Sequence, residues 1–92
     1  MGRKEKTKTK LTEMFNLPKD VILNFPRLVL VGNLELLIEN HRGIIYYTPE
    51  LIKIRIYHGL LLVAGKGLII EELQKDDLII NGEINDLSFE LD

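Results

Sequence analysis

Leu51-Ile52-Lys53-Ile54-Arg55-Ile56-Tyr57, followed by His58-Gly59 and then Leu60-Leu61-Leu62-Val63-Ala64, decides the fold of this 92-residue chain. Ile52, Ile54 and Ile56 alternate with Lys53, Arg55 and Tyr57. A helix would scatter those isoleucines around its axis, whereas a strand puts them on one face, with the charged or amphipathic residues on the other. His58-Gly59 reads as a tight turn, since glycine supplies backbone angles that other residues avoid. The run from Leu60 to Ala64 is almost wholly apolar, as expected of a central strand covered on both faces.

The same punctuation extends in both directions. Upstream, Leu28 to Val31 is a short β-rich run stopped by Gly32-Asn33, and Leu34, Leu36 and Ile38 alternate with Glu35, Leu37 and Glu39. Asn40-His41-Arg42-Gly43 reads as a turn, and Ile44 to Tyr47 as a strand ended by Thr48-Pro49. Downstream, Gly65-Lys66-Gly67 breaks the apolar run and predicts a glycine-rich hairpin bend. Leu68–Ile70, Leu78–Ile80 and Leu87–Leu91 follow as strands. Turn signals about every eight to twelve residues are the spacing of a sandwich or barrel. The expectation is an all-β domain, a mainly antiparallel β-sandwich-like body of about six to eight strands in two layers. An open-faced sheet is the alternative. No repeat of roughly 20–50 residues argues for a solenoid.

Residues 11–25 differ from this body. Leu11, Met14 and Phe15 fall at helical spacing, as do Val21, Ile22 and Phe25, with Pro18 interrupting and Pro26 closing the segment. The segment is too short to be stable alone, so it is expected to dock over one edge or end of the sheet. Residues 1–10 are rich in Lys and Thr with little to bury, and are expected to be disordered. The organisation is thus a basic arm, 1–10, and one domain, 11–92, that begins with a short N-terminal helical segment, 11–25.

Charge sharpens that division. Between Arg3 and Lys10 there are five basic residues and one acid, whereas from Leu11 onward seven basic residues face thirteen acids. Arg3, Lys4, Lys6, Lys8 and Lys10 form a candidate electrostatic arm for an anionic membrane surface or nucleic-acid phosphate. Its plainer reading is a solubilising tail. The acidic body and the lack of an aromatic stacking stripe argue against nucleic acid. No apolar run approaches the roughly 18 residues of a membrane-spanning helix. Leu11 to Asp20 carries charges where a secretory signal would be apolar, so the chain is expected to stay in the compartment where it is made.

Chemistry-bearing residues are few. Cysteine is absent, which removes disulfides and thiolate metal sites, and His41 and His58 are the only imidazoles. Neither a metal nor a cofactor is expected. His41 beside Arg42 is the best acid–base or phosphate-binding candidate, but neighbours on a strand point to opposite faces and no spacing ties an acid or nucleophile to the pair. The plainer reading of Asn40, His41, Arg42 and Gly43 is a polar turn or interaction signature, with Asn40 and Gly43 at positive φ. Gly65-Lys66-Gly67 lacks the remaining elements of a phosphate loop. Glu71-Glu72 and Asp76-Asp77 read as a solvated face, and Ser88, the chain's one serine, as an outward strand residue without a base. Phe15, Phe25 and Phe89 occupy core-facing positions in the pattern. Of Tyr46, Tyr47 and Tyr57, at least one is expected to be exposed. Lys53 and Arg55 would protect their strand from unwanted pairing if it lay at a sheet edge. No catalytic residue is assigned.

Several strings carry a family resemblance: Leu17-Pro18-Lys19-Asp20-Val21, Phe25-Pro26-Arg27-Leu28, Ile38-Glu39-Asn40-His41-Arg42-Gly43-Ile44, Gly59-Leu60-Leu61 with the Gly65 stop, and Ile80-Asn81-Gly82-Glu83-Ile84. In order and spacing these resemble the YabP/YqfC sporulation proteins of endospore-forming Firmicutes, specifically the YqfC branch, from Leu11 to the end. The resemblance implies a non-catalytic protein of spore formation, cytoplasmic in the mother cell and peripheral to the forespore membrane. It also implies a YqfD-like membrane protein as partner. It supplies no catalytic residue. Such a protein would be an assembly or adaptor module, with homo-oligomerisation through edge strands as one route and peripheral membrane contact through the arm as another.

Overall fold

The computed structural model describes residues 24–92. The arm 1–10 and residues 11–23 of the expected helical segment lie outside the described residues. The described chain is all-β, with β1 at Arg27–Val31, β2 at Glu35–Glu39, β3 at Ile44–Thr48, β4 at Leu51–Ile56, β5 at Gly59–Leu73 and β6 at Asp77–Leu91. Every pairing is antiparallel, in one six-stranded sheet of order β1-β2-β6-β5-β4-β3.

Six strands fall within the expected six to eight, but the bounds of the last ones correct the sequence reading. Leu60–Ala64 and Leu68–Ile70 are parts of one 15-residue strand, and the last two expected strands likewise fuse into β6. Gly65-Lys66-Gly67 is therefore not a hairpin bend but a crease inside β5. Ala64 opposes Asp86 while Gly65 opposes Ile84, so Asn85 is an extra residue on β6, and two further register shifts follow on β5. Bulges bend a strand and strengthen its twist, and three in one hairpin turn both strands together. Glycine is required at the crease for room. A Cβ on Gly65 would overlap the Glu83 carbonyl oxygen. Gly82, at φ 137°, would bring a Cβ to 2.7 Å from the Gly67 carbonyl oxygen.

The crease divides the sheet into two halves. One holds β3, β4, the start of β5 and the end of β6. The other holds β1, β2, the start of β6 and the end of β5. Leu36 and Ile38 of β2 and Ile52 and Ile54 of β4 are all fully buried in one cluster with Leu61, Val63, Leu78 and Ile80. A single flat sheet leaves its face wet, so the halves must cover one another. Each fully buried aliphatic side chain contributes about 1.5–3 kcal/mol. Backbone bonds join the halves at two corners: His41 N–H to the Asp76 carbonyl (3.0 Å) beside Arg42 N–H to the Arg55 carbonyl (2.8 Å), and Gly65 and Leu68 N–H to the carbonyls of Glu50 and Pro49 (3.0 and 2.9 Å).

Candidate functional site

The Asn40–Gly43 string occupies the first corner, where the chain crosses from β2 in one half to β3 in the other. Asn40 has φ 65° and Gly43 φ 113°, left-handed values that reverse the chain in little space. His41 is buried at 5% exposure, and both its ring nitrogens are bonded to backbone. Nδ1 accepts the Gly43 N–H at 3.0 Å, so the ring hydrogen sits on Nε2, which donates to the Gln74 carbonyl at 3.0 Å and lies 3.3 Å from that of Asp77. The imidazole thus staples the corner to the β5–β6 turn. Arg42 faces outward, its guanidinium bonded to Asn24 Oδ1 (3.2 Å) and placed 5.2 Å from the centre of the Tyr57 ring. Asn40 Nδ2 donates to the Phe25 carbonyl (3.2 Å), and Phe25 meets Tyr57 edge-on. The four residues are together, but in built roles: Asn40 and Gly43 shape the backbone, His41 staples the corner, and Arg42 and Asn40 pin the entry of the chain at Asn24 and Phe25.

The other chemistry-bearing residues are dispersed. Glu71, Glu72 and Asp76 are exposed near the β5–β6 turn. Ser88 sits opposite Leu62 on the outer face. Lys53 and Arg55 lie on β4, which has β3 and β5 on either side, so they guard no edge. Tyr46 and Tyr47 are each 47% exposed, as the expectation for at least one tyrosine required. Two phenylalanines depart from the reading: Phe25 is 39% and Phe89 53% exposed, although alternation puts Phe89 on the inner face with Leu61. Among the described residues no strand continues β2 alongside that end of β6, because β2 pairs β6 only over Asp77–Asn81.

Folding the sheet over leaves two seams where the halves meet. Along the first, Tyr47 of edge strand β3 reaches the far part of β5. Its hydroxyl donates to the Leu68 carbonyl (3.2 Å) and accepts the Ile70 N–H (3.4 Å), occupying two backbone groups of that edge. Sequence reasoning did not find this role. An uncharged tyrosine on a short strand was its only signal.

The second seam, between β1 and the end of β6, is open among the described residues. It is fastened only near the crease, where Gly82 and Ile84 N–H donate to the Leu34 and Asn33 carbonyls (3.1 and 2.7 Å). Beyond that point Phe25, Pro26, Ile56, Tyr57, His58, Phe89 and Leu91 line an apolar cleft of about 420 Å³. Leu91 is 69% exposed in it, and Leu30, 48% exposed, lines a second hollow farther along the seam with Ile84, Asn85, Asp86 and Leu87. No strand among the described residues pairs with the outer edge of β6 past Asn81. Electrostatically the seam is one-sided: Asp86 and Glu90 are exposed on the outer face of β6, with Glu83 exposed in the middle of the strand and Asp92 just past its end. From Asn24 to Asp92 six Lys or Arg stand against eleven Asp or Glu, and the ion pair of the described residues, Arg27–Glu39 at 3.1 Å, is elsewhere.

Comparison with known proteins adds a family. A model described as the YabP family matches residues 24–92, the whole of the described sheet. The chain is also similar to uncharacterized protein YqfC of Bacillus subtilis (strain 168), with 30% identity over 83 residues that cover 90% of this chain and 89% of the relative. No solved structure matches it.

Proposed function

The chain belongs to the YabP/YqfC family, and from that premise we propose that it is a non-catalytic assembly or adaptor module of endospore formation. It works in the mother cell, beside the forespore membrane. The observation that supports the docking role is the open seam: a sheet edge with unpaired backbone groups next to exposed Leu30, Phe89 and Leu91 is a surface that gains from being covered. The absence of an enzymatic role is supported by the use of His41. A general acid or base must reach substrate, and both nitrogens of this ring are held by backbone groups inside the fold. The partner is a sporulation membrane protein of the YqfD type, which would supply the membrane anchor. Among the described residues no helix is long and apolar enough to cross a membrane.

Deletion of the gene in its endospore-forming host tests the reading. Spore yield is expected to fall, and a copy expressed in the mother cell is expected to restore it. Wild-type yield and timing in the deletion strain would remove the sporulation role.

A further inference from the structure

The open seam fixes the chemistry of what it would hold. Among the described residues, β6 over Asn85–Leu91 pairs with β5 on one side only. On this stretch Leu87, Phe89 and Leu91 oppose Val63, Leu61 and Gly59 on the inner face, while Asp86, Ser88 and Glu90 oppose Ala64, Leu62 and Leu60 on the outer face. A strand laid along the free edge must alternate in the same way, since side chains in a strand point to opposite faces in turn. Its inward residues would cover Phe89 and Leu91, now 53% and 69% exposed, and fill the apolar cleft. Its outward residues would stand directly across from Asp86 and Glu90, where cations are favoured and like charges are not. Lys53 and Arg55 share the outer face, but β5 lies between them and β6, leaving them about 10 Å away, near the screening length at physiological salt.

We propose that the free edge of β6 over Asn85–Leu91 takes up an extended segment of a partner protein in which apolar residues alternate with lysine or arginine. The inference rests on the reading of the protein as a docking module and names the segment it docks. β4 shows that this half-sheet accepts such a strand: Ile52, Ile54 and Ile56 point to the core, and Lys53 and Arg55 point out. A second copy of the described sheet offers no equivalent. Its edge strands are β3, which carries no charge, and β1, whose one cation is Arg27 at its first residue. The chain's own basic run, Lys4 to Lys10, alternates lysine with Glu5, Thr7 and Thr9, which would not fill an apolar cleft, so charge and apolar complementarity together favour a different protein.

The chain has no tryptophan, so Phe89→Trp in the full chain gives a single fluorescent reporter inside the cleft. The probe is a peptide of about nine residues alternating isoleucine with lysine, a strand-length segment. Two controls accompany it, one with glutamate for lysine and one N-methylated on the amides that would face the edge. Saturable one-to-one binding with a blue shift of the indole emission is expected, with each control at least about tenfold weaker. The pair Asp86→Lys and Glu90→Lys, both exposed, should invert the preference toward the glutamate peptide. Glu71→Lys with Glu72→Lys, on the far part of β5, should leave it unchanged.

Equal binding of both charge forms, or binding that survives N-methylation, would overturn the proposal. So would an indole already buried in the free Phe89→Trp variant and unmoved by any peptide, because the chain itself or a second copy would then cover the edge. A failed titration alongside a sporulation defect removes this site and leaves the adaptor reading in place. Binding without a sporulation defect does the reverse.

Discussion

The two seams of this molecule are built from similar parts and end differently. Each sets a five-residue edge strand, β3 or β1, beside a part of the long β5–β6 hairpin that has lost its neighbour at the crease. On the β3 side, Tyr47 supplies a donor and an acceptor at the end of a long side chain, and the Pro49 and Glu50 carbonyls take two more amides. On the β1 side, the residues in the same situation are Leu30, Phe89 and Leu91, which can cover surface but cannot bond a backbone. Closing the sheet over its core thus does not require an open seam. The fold demonstrates a way to seal one, and among the described residues the acidic, apolar edge of β6 is left unsealed.

Both seams depend on the crease, so the largest effect should come from there. Gly65→Ala would drive a methyl group into the Glu83 carbonyl, a backbone group of the β5–β6 ladder. Overlap of that kind cannot be relieved by a rotamer change, and a loss above about 3 kcal/mol is expected. Urea unfolding of the full chain would measure it. A loss under about 1 kcal/mol would mean that the crease tolerates a Cβ and that bulges alone set the bend.

The corner at His41 ranks next. His41→Ala removes a buried ring that satisfies the Gly43 N–H and the Gln74 carbonyl. Groups left unpaired in a protected site cost about 1–3 kcal/mol. The same measurement on Arg42→Ala separates staple from surface: Arg42 is itself exposed and acts on half-buried partners, Asn24 and the Tyr57 ring, and should cost less.

Tyr47→Phe is the direct test of the sealed seam. It deletes one oxygen and leaves the Leu68 carbonyl and the Ile70 N–H to solvent, an effect of about 1 kcal/mol. Hydrogen exchange should show it locally as faster exchange at the Ile70 amide, with the β4–β5 ladder unaffected. A uniform change across the sheet would instead mean that Tyr47 acts through packing.

The legibility of this fold in the sequence follows the range of the interactions involved. Alternation at Ile52, Ile54 and Ile56 is local, and it correctly gave both the strand and the buried face. The fusion of the last four expected strands into β5 and β6 was not legible, because glycine marks both a turn and a bulge and only the partner strand distinguishes them. The importance of Asn40–Gly43 was visible as a string, but its task was not. His41 is satisfied by Gln74, 33 residues away, and no local pattern carries that contact. Phe89 and Leu91 were placed on the correct face, yet alternation cannot say whether anything lies over that face. The open seam is therefore a property of topology, in which β2 ends its pairing at Asn81, and not of the residues that line it.

The smallest effect sharpens the contrast most. Leu91→Ser removes a whole apolar side chain from the open seam, yet that residue is 69% exposed and little of its surface contributes to the core. Its cost in stability should stay within about 0.5 kcal/mol, less than the loss of a single oxygen from Tyr47 across the molecule. Apolar area held out of the core in this way has value only when something else covers it, so the same substitution should weaken binding of the isoleucine–lysine peptide severalfold. Urea unfolding of the Leu91→Ser chain, and the fluorescence titration repeated with Phe89→Trp added to it, read the two quantities separately. If Leu91→Ser destabilises the free chain as much as Tyr47→Phe does, then the second seam is part of the core, and the difference between the two sides of the sheet disappears.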